Sequence, residues 1–193
     1  MLENLKKYRL VLASNSPRRR ELLAGLGLDF DVRVLHDVDE SYPSTLPVEE
    51  IAEYISAKKA AAYRPTMAPD ELLVTADTVV VCGNEVMGKP QDATEAQRML
   101  RKLSGRTHLV VTGVCLTTHE TQRRFSVTTE VSFKQLSEEE IQFYVSRYQP
   151  MDKAGAYGIQ EWIGYIGCTG LKGSYYNVMG LPVQRIYQEL LLM

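Results

Sequence analysis

The middle of the chain contains a nearly uninterrupted apolar segment, and this segment constrains the fold most. Leu72 to Val81 reads Leu-Leu-Val-Thr-Ala-Asp-Thr-Val-Val-Val, which is typical of a strand covered on both faces. Asp77 interrupts it, and an ionised carboxylate in such a setting is costly unless it is paired, hydrogen-bonded or metal-bound. Alternatively, the strand ends at Ala76 and Asp77 caps a turn. Because Thr78 to Val81 resumes the β pattern at once, we expect a functional role for Asp77.

A strand, a polar loop and a helix are predicted near the start of the chain. Leu10 to Leu23 begins with an apolar run that ends in Ser-Asn-Ser, and the fixed φ of Pro17 suits a first helical turn. Such a junction presents unpaired backbone amides at the positive end of a helix dipole, so it can hold a phosphate. Arg18 and Arg19 share the face toward the sheet, while Arg20 is expected to face solvent. Cations oppose the dipole there, which favours an anion site over a merely basic helix surface.

An acidic loop follows between His36 and Leu46. It contains Asp37, Asp39 and Glu40 in otherwise polar sequence. Most such clusters are simply solvated, but carboxylates near an arginine-lined phosphate site could hold a divalent cation.

The next predicted helix opens at Pro47 and carries two adjacent lysines. Lys59 lies on the apolar stripe four residues after Ile55, whereas Lys58 is rotated away and should be solvated. Spacing alone slightly favours a Lys59 that snorkels along the helix surface, and the alternative is a lysine that reaches a bound phosphate.

Local signals predict the elements of the second half of the chain. A hairpin turn follows Cys82, Lys89 stands at a strand end, and Asp92 can cap a helix that runs to about Leu103. A long hairpin and a helix with a capping box follow. These comprise strands His108–Leu116 and Phe125–Phe133, and a helix beginning with Ser137 and Glu140.

The last third of the chain is rich in glycine. Pro150 to Gln160 is too rich in glycine for a helix, and the glycines that recur every third residue suggest tight turns: Gly164, Gly167, Gly170 and Gly173. Neither a Gly-x-Gly-x-x-Gly nor a Gly-x-x-x-x-Gly-Lys-Ser/Thr pattern occurs, so Rossmann and P-loop chemistry lose support. The chain closes with an amphipathic helix over Pro182–Leu192 that packs Val183, Ile186, Leu190 and Leu191.

Composition excludes several classes of protein. Lysine and arginine number 22 against 24 aspartates and glutamates, and the net charge of −2 provides no basic surface for nucleic acid. The three cysteines are widely separated, which argues against a disulfide framework and a zinc site. The chain has neither an apolar run long enough to span a membrane nor an opening like a cleavable signal. We therefore expect a cytoplasmic protein without nucleic-acid or membrane partners.

The chain resembles the Maf family of septum-formation-related nucleotide pyrophosphatases over essentially its whole length. The opening signature of that family is similar to Ser-x-Ser-Pro-Arg-Arg, which Ser14 to Arg19 fill. Further matching segments follow in order: Glu40 in Val-Asp-Glu, Lys59 before Ala60, Ala76-Asp77-Thr78, Lys89-Pro90, Asp152 to Gln160, and Gly180-Leu181-Pro182.

This resemblance implies a fold, an activity and a cofactor. It implies one domain over residues 1–193, with an α/β fold in which helices flank an elongated mixed sheet and two lobes surround a deep cleft, similar to inosine triphosphate pyrophosphatases. The implied reaction is hydrolysis of a nucleoside triphosphate to the monophosphate and pyrophosphate with a divalent cation, Mg²⁺ or Mn²⁺. A homodimer and a link to cell-division arrest are also implied.

The resemblance also assigns roles to individual residues. Asp77 would accept the proton from water, and Glu40 with Asp77 would hold the metal, which is sensible chemistry for ionised carboxylates. Five side chains would bind the triphosphate: Ser14, Arg18, Arg19, Lys59 and Lys89. The dTTP/UTP branch of the family is favoured over the branch for methylated guanosine triphosphate by Arg18, Thr78 and Gln160. The amide of Gln160 can both donate to and accept from the edge of uracil or thymine.

Two other functions are alternatives to an enzyme. A regulator of septum formation could bind nucleotide without turnover, but it would not need the set of Asp77, Glu40, Lys59 and Lys89. An RNA-binding module would need a basic surface and aromatic platforms. No serine or cysteine has a paired histidine in the sequence, so covalent catalysis is not expected.

Overall fold

The structure is a computed structural model that describes residues 2–193. Within this range the chain forms one mixed sheet of seven strands flanked by helices, which confirms the predicted α/β class. The strands are β1 (Arg9–Leu12), β2 (Asp31–Val32), β3 (Glu71–Cys82), β4 (Glu85–Met87), β5 (Thr107–Thr117), β6 (Gln122–Phe133) and β7 (Cys168–Lys172). Their order is β2-β1-β3-β5-β6-β7, with β4 beside β3. β1 is parallel to β2 and β3, whereas the β3–β4 and β6–β7 pairs are antiparallel.

The described residues also form seven α-helices. They are α1 (Pro17–Ala24), α2 (Ile51–Tyr63), α3 (Ala93–Leu103), α4 (Glu138–Tyr148), α5 (Trp162–Gly167), α6 (Tyr175–Met179) and α7 (Val183–Leu190). Predicted side-chain caps are present at Asp92 for α3 and at Ser137 with Glu140 for α4. Across residues 2–193, no helix has both the length and the apolarity that a membrane crossing requires.

Strand β3 runs through Asp77 without interruption. Leu72, Leu73 and Val74 are fully buried, and the strand continues to Cys82. The alternative that the strand ends at Ala76 is therefore wrong. Asp77 places an acidic side chain inside a covered strand, and the residue as a whole is only 8% exposed.

Helix α2 is fixed against the sheet by polar and steric complementarity. The Ser56 hydroxyl donates to the Thr75 carbonyl of β3 at 3.0 Å, and the Thr75 hydroxyl donates to the Ser56 carbonyl at 2.9 Å. At Gly113 of β5, an added Cβ would lie 2.1 Å from the Glu53 nitrogen of α2. Only glycine allows the helix backbone to approach that closely, so the position of α2 is set by contact with the sheet.

The chain divides into two compact units. Unit 1 comprises residues 2–77, Thr112–Val127 and Gly180–Met193, and unit 2 comprises Thr78–Val111 and Thr128–Met179. Val11, Tyr63 and Leu73 belong to the core of unit 1. Leu100 and Tyr144 belong to the larger core of unit 2. The organisation of 1–193 as a single domain stays a prediction.

Several predicted boundaries differ from the structure. Helix α2 begins at Ile51, because residues 47–50 form a turn in which the Glu50 amide donates to the Pro47 carbonyl at 2.9 Å. Gly164 and Gly167, which were predicted to form tight turns, lie in helix α5 instead. An added Cβ at Gly164 would lie 1.9 Å from the Ile159 carbonyl oxygen, so the packing of α5 requires glycine there. Leu191 lies beyond α7 and is half exposed, so the prediction that it packs with Val183, Ile186 and Leu190 is wrong.

Candidate active site

The predicted anion site at the start of α1 has the expected local structure. The side chain of Ser16 caps the helix by accepting from the Arg19 amide at 3.4 Å, and Pro17 occupies the first turn. The hydroxyl of Ser14 is buried and accepts from the Ser16 amide at 3.1 Å. The first turn contains no acidic residue. This arrangement keeps the positive end of the helix dipole without a carboxylate of its own helix.

The three arginines of α1 differ in what they contact. Arg19 directs its guanidinium at two carbonyl oxygens, with Nε 2.8 Å from Gly180 and Nη1 2.8 Å from Ala76. Arg18 is half-buried in the first turn. Arg20 is also half-buried and donates to Asn15 at 3.1 Å, so the expectation that it faces solvent is incomplete.

The charge of Arg19 is coupled to the neighbouring carboxylates. Burial lowers the pKa of the Arg19 guanidinium from its ordinary value, and the Asp77 and Glu40 charges oppose that shift. The positive charge at the start of α1 and the negative charge at β3 therefore stabilise one another.

Lys59 joins the two carboxylates that the sequence assigns to the site. Its Nζ lies 2.7 Å from Asp77 Oδ1 and 2.9 Å from Glu40 Oε1. The Lys59 side chain is 14% exposed and that of Asp77 is 12% exposed, whereas the Glu40 side chain is 47% exposed. Lys59 thus does not snorkel to solvent along the helix, as spacing alone slightly favoured. It satisfies the buried charge of Asp77 instead.

Lys58 contacts the acidic loop rather than solvent alone. Its Nζ lies 2.7 Å from Asp39 Oδ2, 2.8 Å from the Ser41 carbonyl and 3.2 Å from the Ser41 hydroxyl. The ion pair with Lys58 and hydrogen bonds from Ser41 hold the pKa of Asp39 well below its ordinary value. The prediction of a solvated Lys58 is therefore incomplete, because the partly exposed side chain also pairs with the loop. The two lysines hold consecutive residues of the loop, Asp39 and Glu40.

The acidic loop does not form a three-carboxylate cluster. Within residues 2–193, no group of three or more histidine, cysteine, aspartate or glutamate side chains could hold a metal ion. Glu40 and Asp77 nevertheless converge on one ammonium group. Carboxylate oxygens suit Mg²⁺ and Mn²⁺, and Mg²⁺ in nucleotide sites commonly takes one or two protein carboxylates together with substrate phosphates. The donor set at Glu40 and Asp77 therefore fits the implied cation.

The remaining predicted site residues belong to unit 2. Thr78 follows Asp77 in β3 and is partly exposed. Lys89 is exposed just after β4, as predicted from its position at a strand end. Gln160 lies in the loop before α5, and its buried Oε1 has no hydrogen-bond partner within residues 2–193.

Three side chains around that loop were missed as candidates. Lys153 is only 8% exposed, and its Nζ lies 2.7 Å from Asp152 Oδ1 and 3.1 Å from Glu161 Oε1. The Tyr144 hydroxyl donates to Glu161 and is itself fully buried in the core of unit 2. The position of Lys153 inside a glycine-rich segment could have indicated a functional lysine. The helical spacing of Tyr144 indicates only a core residue.

Comparison with known proteins identifies the family. The model of the family described as "Maf-like protein" matches residues 9–193, so the chain belongs to this family. A protein of Phocaeicola vulgatus named dTTP/UTP pyrophosphatase is 63% identical over 98% of both chains. A Bacteroides thetaiotaomicron protein of the same name is 61% identical with the same coverage. Among solved structures, a HAM1 protein from Coxiella burnetii aligns over 96% of this chain and 100% of its own with 14% identity and a TM-score of 0.47.

Proposed function

We propose that this chain hydrolyses dTTP and UTP to the nucleoside monophosphate and pyrophosphate. The observation that carries this proposal is the pairing of the buried Asp77 carboxylate with Lys59, which also contacts Glu40. A carboxylate next to a phosphate-binding turn suits the activation of water. The names of the relatives from Phocaeicola vulgatus and Bacteroides thetaiotaomicron, at 63% and 61% identity, support the same substrates.

In this proposal the triphosphate binds at the start of α1. Backbone amides and the dipole of that helix attract phosphate oxygens, and Ser14 and Arg18 border the turn. We assign Arg19 a double role, because it orders the turn through two carbonyls while its charge faces the same anion. Lys59 and Lys89 are the further proposed phosphate contacts.

Asp77 is the proposed proton acceptor. Its Oδ1 accepts from Lys59 at 2.7 Å, which holds this oxygen in place. We assign the other oxygen to the attacking water. Lys59 Nζ lies 2.7 Å from this carboxylate, and the charge of Arg19 also interacts with it, so two cations border the proposed proton acceptor.

Glu40 and Asp77 would hold the divalent cation. When bound, such an ion neutralises phosphate charge during the displacement. We expect activity to vanish in excess chelator and to return with magnesium or manganese. Full turnover in chelator would contradict the assignment of both carboxylates.

Base selection is assigned to Gln160, with Thr78 as a further substrate contact. The unpartnered Oε1 of Gln160 is an acceptor that a ligand N–H can satisfy, and its Nε2 is a donor. Uracil and thymine offer the matching donor and acceptor at N3 and O4. A mismatched base would leave buried polar groups unpaired, which discriminates strongly.

A nucleotide panel with magnesium tests the reaction. The purified chain is incubated with dTTP, UTP, GTP, 7-methyl-GTP and ATP, and products are separated so that pyrophosphate is distinguished from orthophosphate. We expect monophosphate and pyrophosphate, with dTTP and UTP turned over most efficiently. Initial formation of diphosphate and orthophosphate would refute cleavage between the α and β phosphates. Tight binding without turnover would identify a nucleotide-sensing regulator instead. The homodimer, the cytoplasmic location, the absence of nucleic-acid and membrane partners and the cell-division link stay predictions.

A further inference from the structure

Gln160 belongs to a closed turn. The Glu161 amide donates to the Gly158 carbonyl at 3.0 Å, so Ile159 and Gln160 are the central residues of a four-residue turn. The Gln160 side chain folds back over the first residue of that turn, because an added Cβ at Gly158 would lie 3.0 Å from Gln160 Nε2. The position of the amide therefore depends on the positions of Gly158 and Glu161.

Tyr144 holds both ends of this turn with one hydroxyl group. The hydroxyl accepts from the Gly158 amide at 3.0 Å and donates to Glu161 Oε2. These directions are fixed, since an amide can only donate and an ionised carboxylate can only accept. Burial raises the pKa of Tyr144 far above its ordinary value, so the donated proton stays in place. The single hydroxyl thus satisfies two groups on either side of Gln160.

A second contact makes Glu161 a rigid partner for this hydroxyl. Its Oε1 lies 3.1 Å from the nearly buried Lys153 Nζ, while its Oε2 accepts from Tyr144. Tyr144 is itself fully buried within α4 and stacks on Tyr148 with ring centroids 5.1 Å apart. Hydrogen bonds to charged groups in such surroundings are stronger than ordinary ones. The turn is therefore anchored to a helix that lies in the core.

We infer that Tyr144 is a positioning residue for base recognition, which holds Gly158 and Glu161 so that the Gln160 amide meets the pyrimidine edge in one fixed orientation. This inference rests on the proposed function, because it takes Gln160 as the group that reads the base. It assigns no contact between Tyr144 and the substrate. The orphaned Oε1 of Gln160 is held in place for a ligand N–H by groups that do not themselves touch the ligand.

The test removes one oxygen atom. Tyr144→Phe keeps the ring and its stacking but leaves the Gly158 amide and Glu161 without their shared partner. Tyr148→Phe is the matched control. It removes the hydroxyl of the stacked ring on the same helix, and that hydroxyl has no hydrogen bond within residues 2–193. Thermal unfolding of both variants checks that they fold.

Binding is measured without turnover. Trp162, the single tryptophan of the chain, directly follows Glu161, so its fluorescence reports on nucleotide at this turn. Wild type and variants are titrated with α,β-imido-UTP and α,β-imido-GTP, and kcat and KM are measured separately with UTP and GTP.

Tyr144→Phe should weaken UTP-analogue binding by about tenfold, the loss expected for one buried hydrogen bond to a charged group. Binding of the GTP analogue should change little, so the UTP:GTP ratio of kcat/KM falls by a similar factor while kcat with UTP stays within about twofold. Tyr148→Phe should match the wild type. Equal loss for both nucleotides, or unchanged UTP binding, would overturn the inference. A wild type that binds UTP analogue but hydrolyses nothing would refute the proposed function alone, since the binding comparison would still decide the role of Tyr144.

Discussion

Two carboxylates on strand β3 provide a sharp test of which acidic group does the chemistry. Asp77 and Glu71 lie six residues apart in the same strand, so they point to the same side of the sheet. Both are nearly buried and both pair with cations. Asp77→Asn and Glu71→Gln make the same chemical change, a carboxylate to an amide of equal size. We expect the first to remove turnover and the second to remove stability.

The expected changes in stability and in kcat for Asp77→Asn follow from the partners of Asp77. After Asp77→Asn, Lys59 keeps Glu40 at 2.9 Å and the amide oxygen can still accept from it. The free energy of unfolding should therefore fall by only about 1 kcal/mol, the net value of one hydrogen bond. An amide cannot take up a proton, so kcat should fall by roughly two to four orders of magnitude, which is about 3 to 5 kcal/mol of barrier.

For Glu71 the expected loss is in the free energy of unfolding rather than in kcat. Burial alone would raise the pKa of Glu71, but hydrogen bonds from Arg33 and the Ala68 amide, with the Arg9 charge, hold it below its ordinary value. Glu71→Gln removes the carboxylate that both Arg9 and Arg33 contact, although Arg9 keeps Asp31 at 3.6 Å. Breaking a fully buried pair costs about 3 to 5 kcal/mol, and the partial exposure of both arginines reduces this to about 2 to 3 kcal/mol.

Both variants are assayed alike. Urea unfolding at pH 7 gives the free energy of unfolding, and pyrophosphate release from saturating dTTP gives kcat. Asp77→Asn should remain able to bind nucleotide. If Asp77→Asn keeps near-normal kcat, or if Glu71→Gln lowers kcat as much as Asp77→Asn does at equal folded fraction, the assignment of Asp77 as proton acceptor is wrong.

Three further predictions follow from other contacts. Gln160→Glu should erode the preference for dTTP and UTP over GTP by at least tenfold in kcat/KM, and unchanged ratios would contradict Gln160 as the base-reading group. Lys58→Met should free the loop that carries Glu40 and raise the magnesium concentration for half-maximal activity several-fold, whereas Lys58→Arg should keep it near the wild-type value. His108 is 2% exposed, and burial lowers its pKa from 6.5 to about 4, so its neutral form is favoured in the fold. Its contribution is present above pH 6.5 and is lost as the pH falls toward 4, about 3 kcal/mol in all. In urea titrations, His108→Gln should show that much less loss between pH 7 and 4, and parallel curves would refute the role of His108.

Elements with local causes were predictable from the sequence. The apolar run of β3, Pro17 at the start of α1 and the capping box of Ser137 and Glu140 each depend on neighbours a few residues away. The boundary of α2 was less predictable, because Pro47 suits a turn as well as a first helical position. Local sequence signals therefore predict whether a segment is a helix or a strand more reliably than they predict where it begins and ends.

Contacts between distant segments could not be predicted in the same way. The roles of Lys58 and Lys59 depend on where the acidic loop lies against α2, about nineteen residues away along the chain. The resemblance assigns Arg19 to the triphosphate, but nothing near it in sequence indicates its contact with Gly180, which is 161 positions away. Tyr144 reads as an ordinary core residue because nothing near it in sequence indicates Gly158 or Glu161.

The contacts of Arg19 have a consequence for protein synthesis. The guanidinium reaches Gly180, and the Asn4 amide similarly donates to the carbonyls of Leu190 and Met193. During synthesis Gly180 emerges long after α1, so the arginine of α1 is anchored only once that acceptor has been made. We expect nascent or prematurely terminated chains to lack nucleotide hydrolysis altogether.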